Sequence, residues 1–167
     1  YCRMRGNEIL LNDKTYNADE LPNFTVADLA TSTKETADFT VVATFAILPD
    51  NLGFVVRDLE RDRVEGPDIH VILKKHQDRY KSVWVGIETG GFQLAIVQQA
   101  RRKGIRVREL KPDRDKVARA LGVTPLMESG KVFFDESAEW LPCLEHELLH
   151  FPTSTHDDQV DVLGYAS

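Results

Sequence analysis

The run "DFTVVATFAIL" (38–48) constrains this chain more than any other stretch. β-branched and aromatic residues crowd it, and such residues favour a pleated, packed surface. Only Asp38, at its start, carries charge. A turn, "PDN" (49–51), follows at once, and "LGFVVRDLER" (52–61) returns as another strand. A shorter β-rich run, "FTVADLA" (24–30), precedes them across the turn-rich "TSTKET". The three together read as an antiparallel meander.

The period then changes. Ile69, Ile72, Leu73, His76 and Tyr80 fall on one face of a helix over 66–80, with Pro67 near its start. "SVWVGIE" (82–88) is a strand, and "FQLAIVQQARRKG" (92–104) a helix ended by Gly104. "IRVREL" (105–110) alternates as a half-buried strand does. A basic helix (114–122), a short strand (131–134) and two helical stretches (137–151 and 156–166) complete the chain. Pro142 would kink the first of these two or mark its first turn. Hairpin strands followed by alternating helices and strands give an α/β fold, a mixed central sheet flanked by helices. The order matches the RNase H-like fold.

At 167 residues, 42% of them hydrophobic, the chain is long enough for one domain with a sizeable core. Residues 1–20 show no clear period and read as a connector or peripheral arm, leaving 21–167 as the domain. Beginning on Tyr1 rather than Met, the chain reads as a piece of a longer protein. No apolar run is long enough to span a bilayer, and Cys2 and Cys143 fit a reducing compartment. The formal charge is −6, but nine cations lie between Arg101 and Arg119 against Glu109, Asp113 and Asp115. That segment is a candidate footprint for phosphate, or else a solvated surface.

One motif points elsewhere. "HELLH" (146–150) has the spacing of a zinc protease, with His156 six residues on and Cys143 three before. The pattern breaks where a metzincin needs glycine for a sharp turn, because Thr153 stands there. Pro152 shapes a turn in another register, and no methionine follows His156. His146 and His150 read instead as exposed or half-buried residues of a helix whose Leu144, Leu148 and Leu149 face the core.

The acids make a stronger set. Asp28 stands near the end of the first strand, Glu88 ends "VWVGIE", and Asp157 and Asp158 open the last helix. If that first strand is central, these points converge at one edge. Hard Mg²⁺ or Mn²⁺ prefers carboxylate oxygen, and clustered carboxylates need a cation between them. Two such ions can activate water against a phosphodiester. Each acid also has a plainer use. Asp157 and Asp158 suit a helix cap, and Asp28 and Asp38 suit turns. Glu88 is harder to dismiss, since core strands rarely end in an unpaired carboxylate.

"VADLA" with "DFTVV" ten residues on, "VGIETGGFQ", and "ELLHFPTSTHDDQVDVLGYA" together resemble the motif blocks of the C-terminal nuclease domain of tailed-phage large terminases. The resemblance covers the chain from about Phe24. It implies an RNase H-like nuclease that cuts concatemeric double-stranded DNA in the host cytoplasm. Asp28, Glu88 and Asp158 would be catalytic and, with Asp157, would ligate two divalent ions, Mg²⁺ or Mn²⁺. Asp161 and His156 would support them. Lys111, Arg114, Lys116 and Arg119 would contact the DNA backbone. Residues 1–20 would lead from an ATPase domain, since no phosphate-binding G-x-x-x-x-G-K-[ST] occurs here. A small terminase subunit and a portal protein would be partners, and no membrane is implied. A junction resolvase or transposase-type nuclease, and a non-catalytic DNA-gripping module, are the alternatives.

Overall fold

The computed structural model describes residues 1–30, 39–64, 66–89, 93–111, 116–153 and 156–166. Three short strands come first: β1 (Arg3–Arg5), β2 (Glu8–Leu11) and β3 (Lys14–Asn17), paired antiparallel as a small sheet. Their turns use positive φ at Gly6, Asn12 and Asp13. Strands of three or four residues are too short to display an alternating pattern, which is why sequence periodicity misses them. Ile9, Leu11 and Ala18 bury themselves against Ala46, Leu48 and Val55 of the main sheet. Cys2 N–H donates to Phe134 O (2.9 Å), and Glu136 N–H donates to Cys2 O (3.0 Å). Arg57 is buried at the junction and donates to Asn23, Asn7 and Asp19.

The main sheet is built on the meander: β4 (Asn23–Asp28), β5 (Thr40–Leu48) and β6 (Gly53–Asp62), consecutive and antiparallel. Helix α1 (Gly66–Arg79) then leads to β7 (Val85–Glu88), which lies parallel to β4. Helix α2 (Gln93–Arg102) leads to β8 (Val107–Leu110), parallel to β7. Helix α3 (Lys116–Glu128) leads to β9 (Val132–Phe134), parallel to β6. Helices α4 (Leu141–His150) and α5 (Asp158–Ala166) close the chain. The sheet order is β8-β7-β4-β5-β6-β9, so β4 is central.

Alternation along the strands sends side chains to two separate cores. Val26, Val41, Ala43 and Phe45 meet Val123 of α3, Leu144 of α4, and Val162 and Leu163 of α5. Ala27, Val42 and Ile87 meet Ile69 and Leu73 of α1 and Val97 and Ala100 of α2. Full burial of a side chain such as Phe45 or Leu163 contributes about 1.5–3 kcal/mol. Helix α3 runs six residues past the expected end at Gly122 and carries Pro125 inside it. Val123, Leu126 and Met127 pack into the core beyond that point, and their burial carries the helix through the proline. Pro142 falls in the first turn of α4, where its missing N–H costs nothing.

Candidate active site

The acids of the two strands meet through register. Thr25, Val26 and Ala27 of β4 lie opposite Val85, Gly86 and Ile87 of β7. One further step sets Asp28 beside Glu88, each at the carboxyl end of its strand. On its other side Asp28 pairs with Val41 of β5, and Val41 pairs with Arg61 of β6. A cross-strand row therefore runs Glu88, Asp28, Val41, Arg61. Directly opposed residues share a sheet face, and Val41 faces the core formed with α3, α4 and α5. The row turns to that side.

Helix α5 begins over the same end. Asp158 is 3% exposed, and its Oδ2 accepts from Phe39 N–H (3.2 Å), two residues before Val41. His156 Nδ1 lies 4.0 Å from that oxygen, and its ring meets Phe39 edge-on. Asp157 is half-buried, and its carbonyl accepts from the N–H groups of Val160 and Asp161, so it holds the capping position of α5. Asp161 lies one turn further, also 3% exposed. The last helix is thus bound to Phe39, just ahead of β5, by a hydrogen bond at its start, and to Glu88 of the row through an arginine along its side.

That arginine is Arg119 of α3. Its Nη2 stands 3.2 Å from Asp161 Oδ1 and 3.7 Å from Glu88 Oε2, with the side chain only 10% exposed. Its guanidinium lies over the Tyr165 ring, 4.4 Å from the centroid. Burial, and then the neighbouring Glu88 carboxylate, pushes the Tyr165 phenol well above its ordinary range. Gly164 makes this approach possible: a Cβ there would stand 3.1 Å from the Arg119 carbonyl oxygen. Arg119, expected from sequence to touch DNA, is thus committed to two carboxylates inside the fold.

Other members of the basic run are also occupied. Arg101 pairs with Glu109 (2.8 Å). Arg106 donates to the carbonyls of Ser82 and Val83, and Arg108 lies over Trp84. Lys111 is exposed. Arg114, Asp38 and the side chain of Lys116 lie outside the described residues.

The histidine motif has a structural use. Glu147, 3% exposed, accepts from Gln159 N–H (2.7 Å), Gln159 Nε2 (2.6 Å) and Val160 N–H (3.2 Å). It satisfies the orphan amides at the start of α5. Burial raises its pKa, and these hydrogen bonds oppose the rise. His146 and His150 lie against each other at the exposed side of α4, ring centroids 4.2 Å apart and planes tilted by 35°. Leu149 does not face the core as expected; it is 82% exposed, because the face of α4 that packs carries Leu141, Leu144 and Glu147.

Among the described residues, no three His, Cys, Asp or Glu side chains enclose a metal site by themselves. Magnesium-type sites do not require three. They take one or two protein carboxylates and complete the shell with water and phosphate. Asp28 and Glu88, half-buried neighbours with oxygen donors, suit a hard cation of this kind, with Asp158 at the start of α5.

The family described as the terminase RNase H-like domain matches residues 26–167. The chain belongs to that family. The likeness extends to solved structures of phage terminases. The large terminase nuclease from thermophilic phage G20c with bound zinc is 23% identical, with a TM-score of 0.70 over 99% of this chain and 89% of that one. The large terminase nuclease domain of bacteriophage SPP1 with bound Mn is 13% identical, with a TM-score of 0.63 over 90% and 88%. The large terminase of another thermophilic bacteriophage is 10% identical, with a TM-score of 0.63 over 87% of this chain but 39% of its own length. No curated protein matches. The domain therefore has the fold of phage large-terminase nuclease domains. Among its described residues, no helix is long and apolar enough to cross a membrane.

Proposed function

We propose that the domain is a divalent-metal-dependent endonuclease that cuts concatemeric double-stranded DNA during packaging of a viral genome. One observation above all supports this reading. Asp28 and Glu88 end neighbouring parallel strands in one register, on the face where α5 starts with buried Asp158. In this reading Asp28, Glu88 and Asp158 would hold two Mg²⁺ or Mn²⁺ ions, with Asp157 as a further oxygen donor beside Asp158. Bound ions of this type lower the pKa of an attacking water and neutralise charge on the leaving oxygen. The chain's own contribution is placement. Three carboxylates on the ends of rigid elements need little reorganisation during reaction. Arg119 offsets the mutual repulsion of Glu88 and Asp161, so the acids stay together when the site changes charge.

A large terminase from a thermophilic bacteriophage has also been solved in complex with ADP. An ATPase unit joined to this domain, a small terminase subunit and a portal protein belong to the same proposal. The test is nicking of supercoiled plasmid in Mn²⁺. Glu88→Ala and Asp158→Asn are expected to lose about a hundredfold or more in rate, with the circular dichroism of the folded domain preserved at the assay temperature. Cleavage by Glu88→Ala at the wild-type rate would sink the reading and favour a domain that only grips DNA.

A further inference from the structure

Beside the acid row lies a second charged feature that the nuclease reading leaves unused. A cavity of about 290 Å³ opens between β6, α4 and the start of α5, and Arg61, Cys143, His146, His150 and His156 line it. Its one carboxylate, Glu147, turns both oxygens into the cap of α5. The wall left facing the space is cationic and imidazole-rich.

Arg61 is the centre of this wall. It is the last member of the cross-strand row that contains Asp28, two strands away. Two strand spacings put their backbones about 10 Å apart. Its guanidinium stacks on Phe39, 3.6 Å from the ring centroid, and Arg63 lies at 4.1 Å from the same centroid. Phe39 in turn donates its N–H to Asp158. Arg61 is therefore positioned by the same residue that touches the acid site. Its charge acts on the nearby Glu147 carboxylate, but among the described residues no carboxylate oxygen lies within 4 Å of it; its polar contact is Cys143 Sγ (3.7 Å), and its Nε is buried without a hydrogen bond. A half-buried guanidinium held flat, with its N–H groups in no salt bridge among the described residues, suits a phosphate oxygen, which it can grip through two N–H groups.

We propose that this cavity binds the DNA backbone, taking a phosphate next to the scissile one on the same strand, with Arg61 as its principal contact. The proposal rests on the nuclease reading and deepens it. It places the DNA path over β6 and α4, at the end of the row opposite the basic run 101–111. Three of the six cations of that run, Arg101, Arg106 and Arg108, are occupied by Glu109, backbone carbonyls and Trp84.

The experiment is fluorescence anisotropy of a labelled duplex with the whole domain in EDTA, between about 50 and 200 mM salt. Arg61→Gln removes the charge but keeps a planar side chain over Phe39; Arg61→Lys keeps the charge. The proposal expects Arg61→Gln to weaken binding about three- to tenfold and to reduce the slope of log affinity on log salt by about one. Arg61→Lys should recover the slope. His146→Asn, on the exposed side of α4, should weaken binding without altering the slope, and it carries the test if Arg61→Gln fails to fold. Wild-type affinity and slope in a folded Arg61→Gln would overturn the proposal while leaving the nuclease reading to the plasmid assay. No binding by the wild-type domain at any salt would likewise overturn the proposal, and the nuclease reading would still be decided by the plasmid assay.

Discussion

At the scale of single residues, Arg119 shows how charge acquires meaning only in three dimensions. In sequence it is one cation of nine between Arg101 and Arg119. In space it joins Glu88 of β7 to Asp161 of α5. Removing one partner of a buried pair leaves the other without compensation, and the penalty is about 3–5 kcal/mol. Arg119→Gln should therefore lower stability by about 3 kcal/mol in urea unfolding. Asp161→Asn in the Arg119→Gln background should recover part of that loss, giving a non-additive double-mutant cycle. Glu88 and Asp28 are easier to see, because an acid ending an apolar β-run is conspicuous. The partners of Arg119 lie on other elements, and no local pattern names them. Glu147 is hidden in the same way: its spacing to His146 and His150 points to metal, while its hydrogen bonds run to Gln159 and Val160.

At the scale of elements, α5 is held by features from three neighbours. Glu147 of α4 caps it, Phe39 binds its first carboxylate, and α3 crosses it at Gly164. Glu147→Ala should cost about 1–3 kcal/mol by leaving buried amides unsatisfied. Hydrogen exchange at Gln159 and Val160 should speed up before exchange in β5 does. Gly164→Ala forces a methyl group to 3.1 Å from the Arg119 carbonyl oxygen. It should destabilise by about 1–3 kcal/mol and loosen the pairing of Arg119 with Glu88. A thermal melt of Gly164→Ala indistinguishable from wild type would show that α3 and α5 can separate without strain. Long periodic elements are legible in the sequence: β5, β6, α1 and α2 fall within two residues of their expected ends. The small sheet β1–β3 is not, since its hydrophobic residues become meaningful only against Ala46, Leu48 and Val55.

At the scale of the whole molecule, β4 is an inner strand because β7 pairs with it on the side away from β5, and this is what allows distant acids to share one end of the sheet. The interior also sets a pH response. His76 is fully buried, with Nδ1 2.9 Å from Thr44 Oγ1 in a chain that continues through Thr25 to Ser82. Burial lowers its pKa, opposed by Asp58 and Glu60. The unfolded chain takes up a proton near the ordinary histidine pKa of about 6.5 that the folded chain refuses. Stability is therefore retained above that pH and falls below it, by at most about 1.4 kcal/mol per pH unit from this residue. Urea midpoints measured from neutral to mildly acid pH should show the decline, and His76→Gln should flatten it.

The two cores on opposite sides of the sheet have a practical corollary. Val71 on α1 and Leu94 on α2 are more than half exposed, and their helices cover the face that the acid row turns away from. A dye or surface tether attached at either place would sit behind the sheet, shielded from whatever docks at the front. Such attachment points would let single molecules be watched or immobilised while the working side stays open.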